Sequence, residues 1–293
     1  MRKLNAREAR EFWRRNDEAK KEASANGDPA GLSFGLYDDF PGWINRYYAT
    51  FQRRVIERFL RQVGLSTEDR VLEIGCGAGR WCHELTQKPH QSITGIDISI
   101  HRLMKNHAIH KGKINFVNAL AGQLPLEKET MALVYSVTVI HHLPPEVQED
   151  AIRDAYRVLQ PGKYFFMLES TEVDSSSDHL YARTGSAWAD LLRDHGFTIL
   201  DRRGIEFIDF RRIIRPIRRK VRALPRLLTR RKSKATIDDH TQSQPQAGLS
   251  LSEKLFHLPF LPLVLVAYPL EACLAAWAPV ERANYVCLLA RKD

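Results

Sequence analysis

The sequence predicts an α/β fold: a doubly wound, mostly parallel sheet with helices on both faces. Three observations point to it. From Arg70 onward, short apolar runs alternate with helical patterns. The first run, Val71-Leu72 with Ile74, passes into glycines at 75, 77 and 79 and then into a helix opening near Arg80. A second strand, SITGIDIS, ends in Asp97, 22 residues after Gly75. Glycines let the backbone pass close to a ligand, and an acid at that distance can accept from both hydroxyls of a ribose.

Before that core, residues 1–26 read as a charged helix with Phe12 and Trp13 as its large apolar residues, the pair by which it would dock. GDPAGLSFGLYDDFPGW is a loop by its turn chemistry. In INRYYATFQRRVIERFLRQVG, residues Tyr48, Phe51, Val55, Phe59, Leu60 and Val63 recur at helical spacing.

The glycine turn discriminates between nucleotide ligands. A dinucleotide loop wants G-x-G-x-x-G, and Arg80 stands where its third glycine should be. The pattern here is E-x-G-x-G-x-G, opened by Glu73. A carboxylate there would repel a pyrophosphate but suits the cationic amino end of an aminoacyl nucleoside, which favours S-adenosylmethionine over NAD. With these residues the chain resembles the class I S-adenosylmethionine-dependent methyltransferases, particularly the broad methyltransferase type 11 group. The resemblance implies a Rossmann-like fold with a seven-stranded sheet whose last strand slots antiparallel beside strand five. It implies cofactor contacts from Glu73, Gly75, Cys76, Gly77, Gly79, Asp97, Ile98, Asn118 and Ser136. It also implies an N-terminal helical lid, for which Tyr37, Tyr47 and Tyr48 are candidates beside the plain alternative of core packing.

The remaining strands follow in order. KINFVNALAGQLPL supplies the third, with a loop; the family's acid for the adenine amino group falls on Leu120 here, and Asn118 could serve in its place. MALVYSV is the fourth, ending near Ser136, though Met131-Ala132 departs from the family's Phe-Asp start. VIHHLP follows at the ligand edge of the sheet. EVQEDAIRDAYRVL is a helix, and Arg157-Val158-Leu159-Gln160-Pro161-Gly162 matches the family's turn into strand five, with Lys163 in place of its second glycine. That strand ends at Glu169. SSSDH is polar loop, SAWADLLRDHGF a helix ending on Gly196, FTILDRR a sixth strand and ANYVCLLARK a seventh.

Residues from about 210 to 282 are thereby an insertion between strands six and seven. Its first part, 211–234, holds twelve Lys or Arg and no acid, so the rest of a chain of net charge +9 carries −3. Ile213, Ile217, Val221, Leu224 and Leu228 share one helical face there, interrupted by Pro216 and Pro225. Such a cationic amphipathic segment suits an anionic bilayer. It contains no aromatic residue to stack on bases, which points away from nucleic acid. A polar linker follows, and then an apolar stretch interrupted by Glu271. Its run from Leu258 to Leu270 is too short to span a bilayer, and Pro259, Pro262 and Pro269 disfavour one straight helix. A membrane surface met through 211–279, a cap on an apolar substrate and a dimer contact all remain open.

The expected organisation is therefore a helical lid over 1–63, a cofactor-binding core over 64–210, a basic segment and linker over 211–250, an apolar helical insertion over 251–282 and a final strand over 283–293. At 44% hydrophobic and 27% charged residues the chain has an ordinary soluble composition. No apolar leader opens it, and its four cysteines form no C-x-x-C pair, so a cytoplasmic site with free thiols and no metal is expected, with peripheral membrane association through the insertion. Methyl transfer to oxygen needs a proton acceptor; His141 and His142 are the candidates, followed by Glu169. The favoured function is O-methylation of an apolar or lipid-linked acceptor. The alternatives are a soluble small-molecule tailoring methyltransferase and a non-catalytic partner-binding protein on the same fold.

Overall fold

A computed structural model of the chain describes residues 5, 7–8, 11–13, 15, 42–77, 79–86, 92–110, 112–173, 177–210, 212–214, 216–217 and 261–293. Its sheet has seven strands: β1 (Arg70–Ile74), β2 (Ser92–Asp97), β3 (Asn115–Asn118), β4 (Met131–Val137), β5 (Leu159–Ser170), β6 (Phe197–Ile205) and β7 (Tyr285–Lys292). They lie in the order β3-β2-β1-β4-β5-β7-β6. β7 is antiparallel to both its neighbours and every other pairing is parallel, so the expected mostly parallel sheet is found.

The helices are α1 (Gly42–Val63), α2 (Arg80–Thr86), α3 (Ile100–His110), α4 (Pro145–Val158), α5 (Gly185–Asp194) and α6 (Leu261–Trp277). Side chains alternate across each strand, so one sheet supports two cores. Val71, Leu133, Tyr135, Phe166 and Leu289 face Val55 and Phe59 of α1 and Cys82 of α2. Leu72, Ile74, Val134, Phe165 and Leu288 face Ile152 and Ala155 of α4 and Trp188 of α5. β4, in the middle, is buried at every residue, which is why its sequence reads as a continuous apolar run. Strand order reverses between β1 and β4, and this opens a crevice at their carboxyl ends.

Two expectations are corrected here. Tyr47 and Tyr48 are not lid residues: both are fully buried, in a third cluster with Ile44, Phe51, Phe210, Ile214, Val264 and Ala267. Their hydroxyls have partners inside the protein, Tyr47 donating to Glu271 Oε2 at 3.1 Å and Tyr48 accepting from the Phe210 N–H at 2.8 Å. Tyr37, and the basic and linker residues from 218 onward, lie outside the described residues. Over the described part of the apolar insertion one helix, Leu261–Trp277, runs through Pro262 and Pro269, while Pro259 lies outside the described residues. Pro269 is inside the helix but exposed, where water can satisfy the carbonyl left without its bond.

Candidate active site

The glycine turn after β1 is tied to β2 by two donors on one carbonyl: Gly75 N at 2.7 Å and Cys76 N at 2.9 Å from Ile96 O. Gly75 has φ +72°, and a Cβ there would lie 2.4 Å from a methyl of Val139, so only glycine fits between the turn and the loop after β4. The other side of the turn is held by Asn106 of α3, whose Nδ2 donates to Gly77 O at 2.7 Å. Together these contacts fix the path of the turn between β2 and α3.

Asp97 ends β2 beside this turn. Its Oδ2 accepts from Gly77 N at 2.8 Å and its Oδ1 from Ser99 N at 2.9 Å. These two main-chain donors fix the orientation of the carboxylate at the end of β2. Asn118 pairs in register with Asp97 across β2 and β3. Its Nδ2 donates to Asp97 O at 2.9 Å and Ile98 O at 2.8 Å, which turns its Oδ1 away from those contacts. Ile98 is 38% exposed at the same edge. Leu120, in the position expected for an acid, is bridged to Gln123 within the following turn.

Three of the expected contact residues sit beneath the crevice. Glu73 is buried, and its Oε2 accepts from Cys82 Sγ and Tyr135 Oη, each at 2.9 Å. Burial pushes its pKa up to about 7, against the stabilising effect of those donors. Its carboxylate therefore braces the start of α2 from below, in place of the expected charge contact with an amino group above. The Cys76 thiol is packed with Cys82 against Gly95, leaving only its main chain at the turn. Ser136 is fully buried and donates to Glu169 Oε1 at 3.1 Å.

Glu169 organises the loop after β4. Besides Ser136 it accepts from the N–H groups of Val139 (3.4 Å), Ile140 (3.1 Å) and His141 (3.1 Å) and meets His141 Nδ1 at 2.5 Å. A fully buried carboxylate so placed is an acceptor, so His141 Nδ1 carries the hydrogen. The Ser170 N–H at 3.3 Å from the same nitrogen then has no lone pair to meet. Strain sits at the same place: Thr138, β-branched, has φ +58° between β4 and the one-turn helix Ile140–His142.

His142 differs from His141 in its surroundings. Its Nδ1 lies 3.2 Å from the carbonyl oxygen of His179, which can only accept, so Nδ1 bears the proton and Nε2 the lone pair. Its ring packs against His141 (4.2 Å), Trp13 (4.8 Å) and His179 (5.7 Å, nearly parallel). That desolvation, with the neighbouring histidines, pushes its pKa well below the usual imidazole value. Phe12 stacks on His179 at 4.5 Å, so the aromatic pair of the N-terminal segment covers this cluster. Gln148 of α4 fixes the two loops to each other by donating to Leu143 O and Tyr181 O.

Some of these residues gave no signal in the sequence. His179, paired with Asp178 at 3.0 Å, lay in a segment legible only as polar loop, where the Asp-His dipeptide was the one clue. Val139 carries no chemistry by type; its role against Gly75 is steric. Arg80 stacks on Trp81 at 4.2 Å and donates to Gln52, which in turn donates to Glu206, a chain from α2 through α1 to the residue after β6. Burial lowers the Arg80 pKa to about 10. Among the described residues no cluster of His, Cys, Asp or Glu could hold a metal ion.

Comparison with known proteins bears on this arrangement directly. Residues 71–162, from β1 into β5, match the family model described as a methyltransferase domain. An O-methyltransferase of Pyrenophora dematioidea is 29% identical over 203 residues, 64% of this chain and 73% of that protein. A sterol 24-C-methyltransferase of Schizosaccharomyces pombe is 28% identical over 194 residues, 57% of this chain but only half of that protein's length. The crystal structure of the [4+2]-cyclase SpnF covers the whole chain and 97% of its own at a TM-score of 0.60, a likeness of fold alone at 16% identity. Matched domain, strand order and glycine turn agree: residues 71–162 are similar to the methyltransferase domain of class I S-adenosylmethionine-dependent methyltransferases, which supports methyltransferase activity with S-adenosylmethionine as cofactor.

Proposed function

We propose that this methyltransferase acts on an oxygen of an apolar or lipid-linked acceptor presented at an anionic membrane surface. The observation that carries the oxygen assignment is the place and tautomer of His142, whose Nδ1 faces the His179 carbonyl so that Nε2 holds the ring's lone pair. When bound, the cofactor supplies a methyl group activated by its sulfonium. The chain's own part is to hold, align and exclude water. Gly75, Gly77, Gly79 and the Cys76 main chain would cradle the cofactor, with Asp97 at its ribose. Ile98 would lie on the adenine face, and Asn118 Oδ1 would accept from the adenine amino group. Glu73 supports the turn from below. Ser136, Glu169 and His141 act as positioning residues that set the loop carrying His142. Phe12 and Trp13 would close over the acceptor and keep water from His142.

Two features support the acceptor class: the aromatic cover on the histidines, and a relative named for action on a sterol. The net positive segment supports the surface. The test uses methyl-labelled cofactor with hydroxylated apolar acceptors: simple phenols, prenylated phenols and sterols. His142→Gln should lower transfer roughly 100-fold or more while affinity for S-adenosylhomocysteine stays unchanged. Equal turnover by that variant would remove the proton-acceptor role. A preference for water-soluble phenols would favour a small-molecule tailoring enzyme.

A further inference from the structure

A helix on a protein surface ordinarily turns its polar face outward, and α6 does the reverse. Its inward stripe is narrow: Val264, Ala267 and Glu271, at spacings of three and four. The two apolar members join the cluster of Tyr47, Phe51 and Phe210. Glu271 is the helix's one charged residue and is fully buried, accepting from Phe207 N at 3.0 Å, Ile208 N at 2.9 Å and Tyr47 Oη at 3.1 Å. A carboxylate with three donors pins the helix in one orientation. The outward face so imposed is apolar throughout: Leu261 (40% exposed), Leu263 (44%), Leu265 (63%), Val266 (65%), Leu270 (51%) and Trp277 (88%). A contiguous apolar face of this kind marks an interaction site.

Charge selects the occupant. Ile214, in the first turn of the segment that holds twelve cations and no acid, is buried in the same cluster as Val264 and Ala267. The cationic run thus begins in the same cluster that holds the inward side of α6. A symmetric dimer through α6 would bring two such runs together and repel itself. A surface that is apolar inside and anionic at its rim fits both features at once. Length then sets the mode. The seventeen described residues make about 26 Å of helix, against the roughly 30 Å hydrocarbon core, and the inward side of that stretch is fastened to the protein. Among the described residues no helix is long and apolar enough to cross a membrane. Exposed Pro269 leaves the carbonyl four residues earlier without its helical bond, and that carbonyl needs water or a headgroup donor.

We infer that α6 lies in the plane of an anionic bilayer, its Leu265–Val266–Leu270 face sunk among the upper acyl chains and Trp277 at the headgroup level. This rests on the membrane-surface reading above and specifies the element that penetrates. The experiment uses the full chain with vesicles of phosphatidylcholine and phosphatidylglycerol, against pure phosphatidylcholine, with bromine placed at shallow or deep acyl positions. Shallow bromine should quench fluorescence that Trp277→Phe abolishes, and deep bromine should quench it less. Leu265→Asp and Val266→Asp should each weaken partitioning about tenfold while S-adenosylhomocysteine binding is retained. Where a variant fails to fold, the quenching of the unaltered chain decides. Co-sedimentation with anionic vesicles but no Trp277 quenching would overturn the insertion and leave surface docking intact. Failure to bind either vesicle would overturn both. A dimer in solution that Leu265→Asp converts to monomer, without vesicle binding, would assign the face to a second copy.

Discussion

Glu73 is an acid held without exposure between a thiol and a phenol, and its pKa near 7 makes it a source of pH dependence. The sign follows from comparing states. Unfolded, the carboxyl titrates near 4.5; folded, near 7, so the native state binds the proton more tightly. The associated stability is fully present below pH 4.5 and is lost as pH rises through 7, a difference on the order of 3 kcal/mol. Glu73→Gln should flatten the stability curve across that window, measured by urea unfolding at pH 5 and pH 8; an unchanged slope would place the titration elsewhere. His142 behaves oppositely, because its lowered pKa keeps it neutral as pH falls through the usual imidazole range. Its ring nitrogens should report a neutral Nδ1–H tautomer at pH 6 by NMR, where a histidine of ordinary pKa is largely protonated. Of these residues, the sequence disclosed the types and the strand ends on which they sit. It did not disclose that Glu73 faces down: the side of a strand a residue takes is set by period two, but whether a buried acid has donors depends on Tyr135, 62 residues away.

Among the elements, α6 shows how one residue can decide the meaning of a segment. In sequence Glu271 looked like an interruption of an apolar run, and it is the residue that docks the run. Its partners at 47, 207 and 208 are 224, 64 and 63 positions distant, so no local pattern could reveal them. Glu271→Ala would strand two main-chain N–H groups and a tyrosine hydroxyl at a buried site. Each such group costs about 1–3 kcal/mol, so a loss of at least about 3 kcal/mol is expected, with faster amide exchange at Phe207 and Ile208. Exchange unaltered at those two amides would show that water replaces the carboxylate there. The β4 and β5 ends, by contrast, were legible: VIHHLP and the terminal Glu169 were placed at the ligand edge by strand direction alone. The sequence could not show that Glu169 closes on that same loop through four contacts, with a fifth to Ser136 in β4.

For the whole molecule, the last strand is the one that completes the sheet. β7 runs between β5 and β6, paired with Tyr164–Ser170 on one side and Phe197–Ile205 on the other. Val286, Cys287, Leu288, Leu289 and Ala290 are all buried and serve both cores. Glu169 pairs with Val286 and Ser170 with Tyr285, so the strand that carries the loop-organising carboxylate is braced by the chain's last segment. Thr171, just beyond, donates its hydroxyl to Ala283 O. A chain ending at Arg282 would leave two strand edges open across the width of the core and lose on the order of 10 kcal/mol of apolar burial, comparable to the stability of a whole domain. It should lose both the cooperative thermal transition and the heat of S-adenosylhomocysteine binding, although every cofactor-contacting candidate lies before residue 140. The outcome that would defeat this expectation is specific. β5 and β6 run parallel and are joined through α5, the geometry of an ordinary crossover, so β6 could in principle pair with β5 directly. A truncated chain that melts cooperatively and still binds the ligand would mean that this pairing forms, and that β7 adds stability to a site which four parallel strands already build.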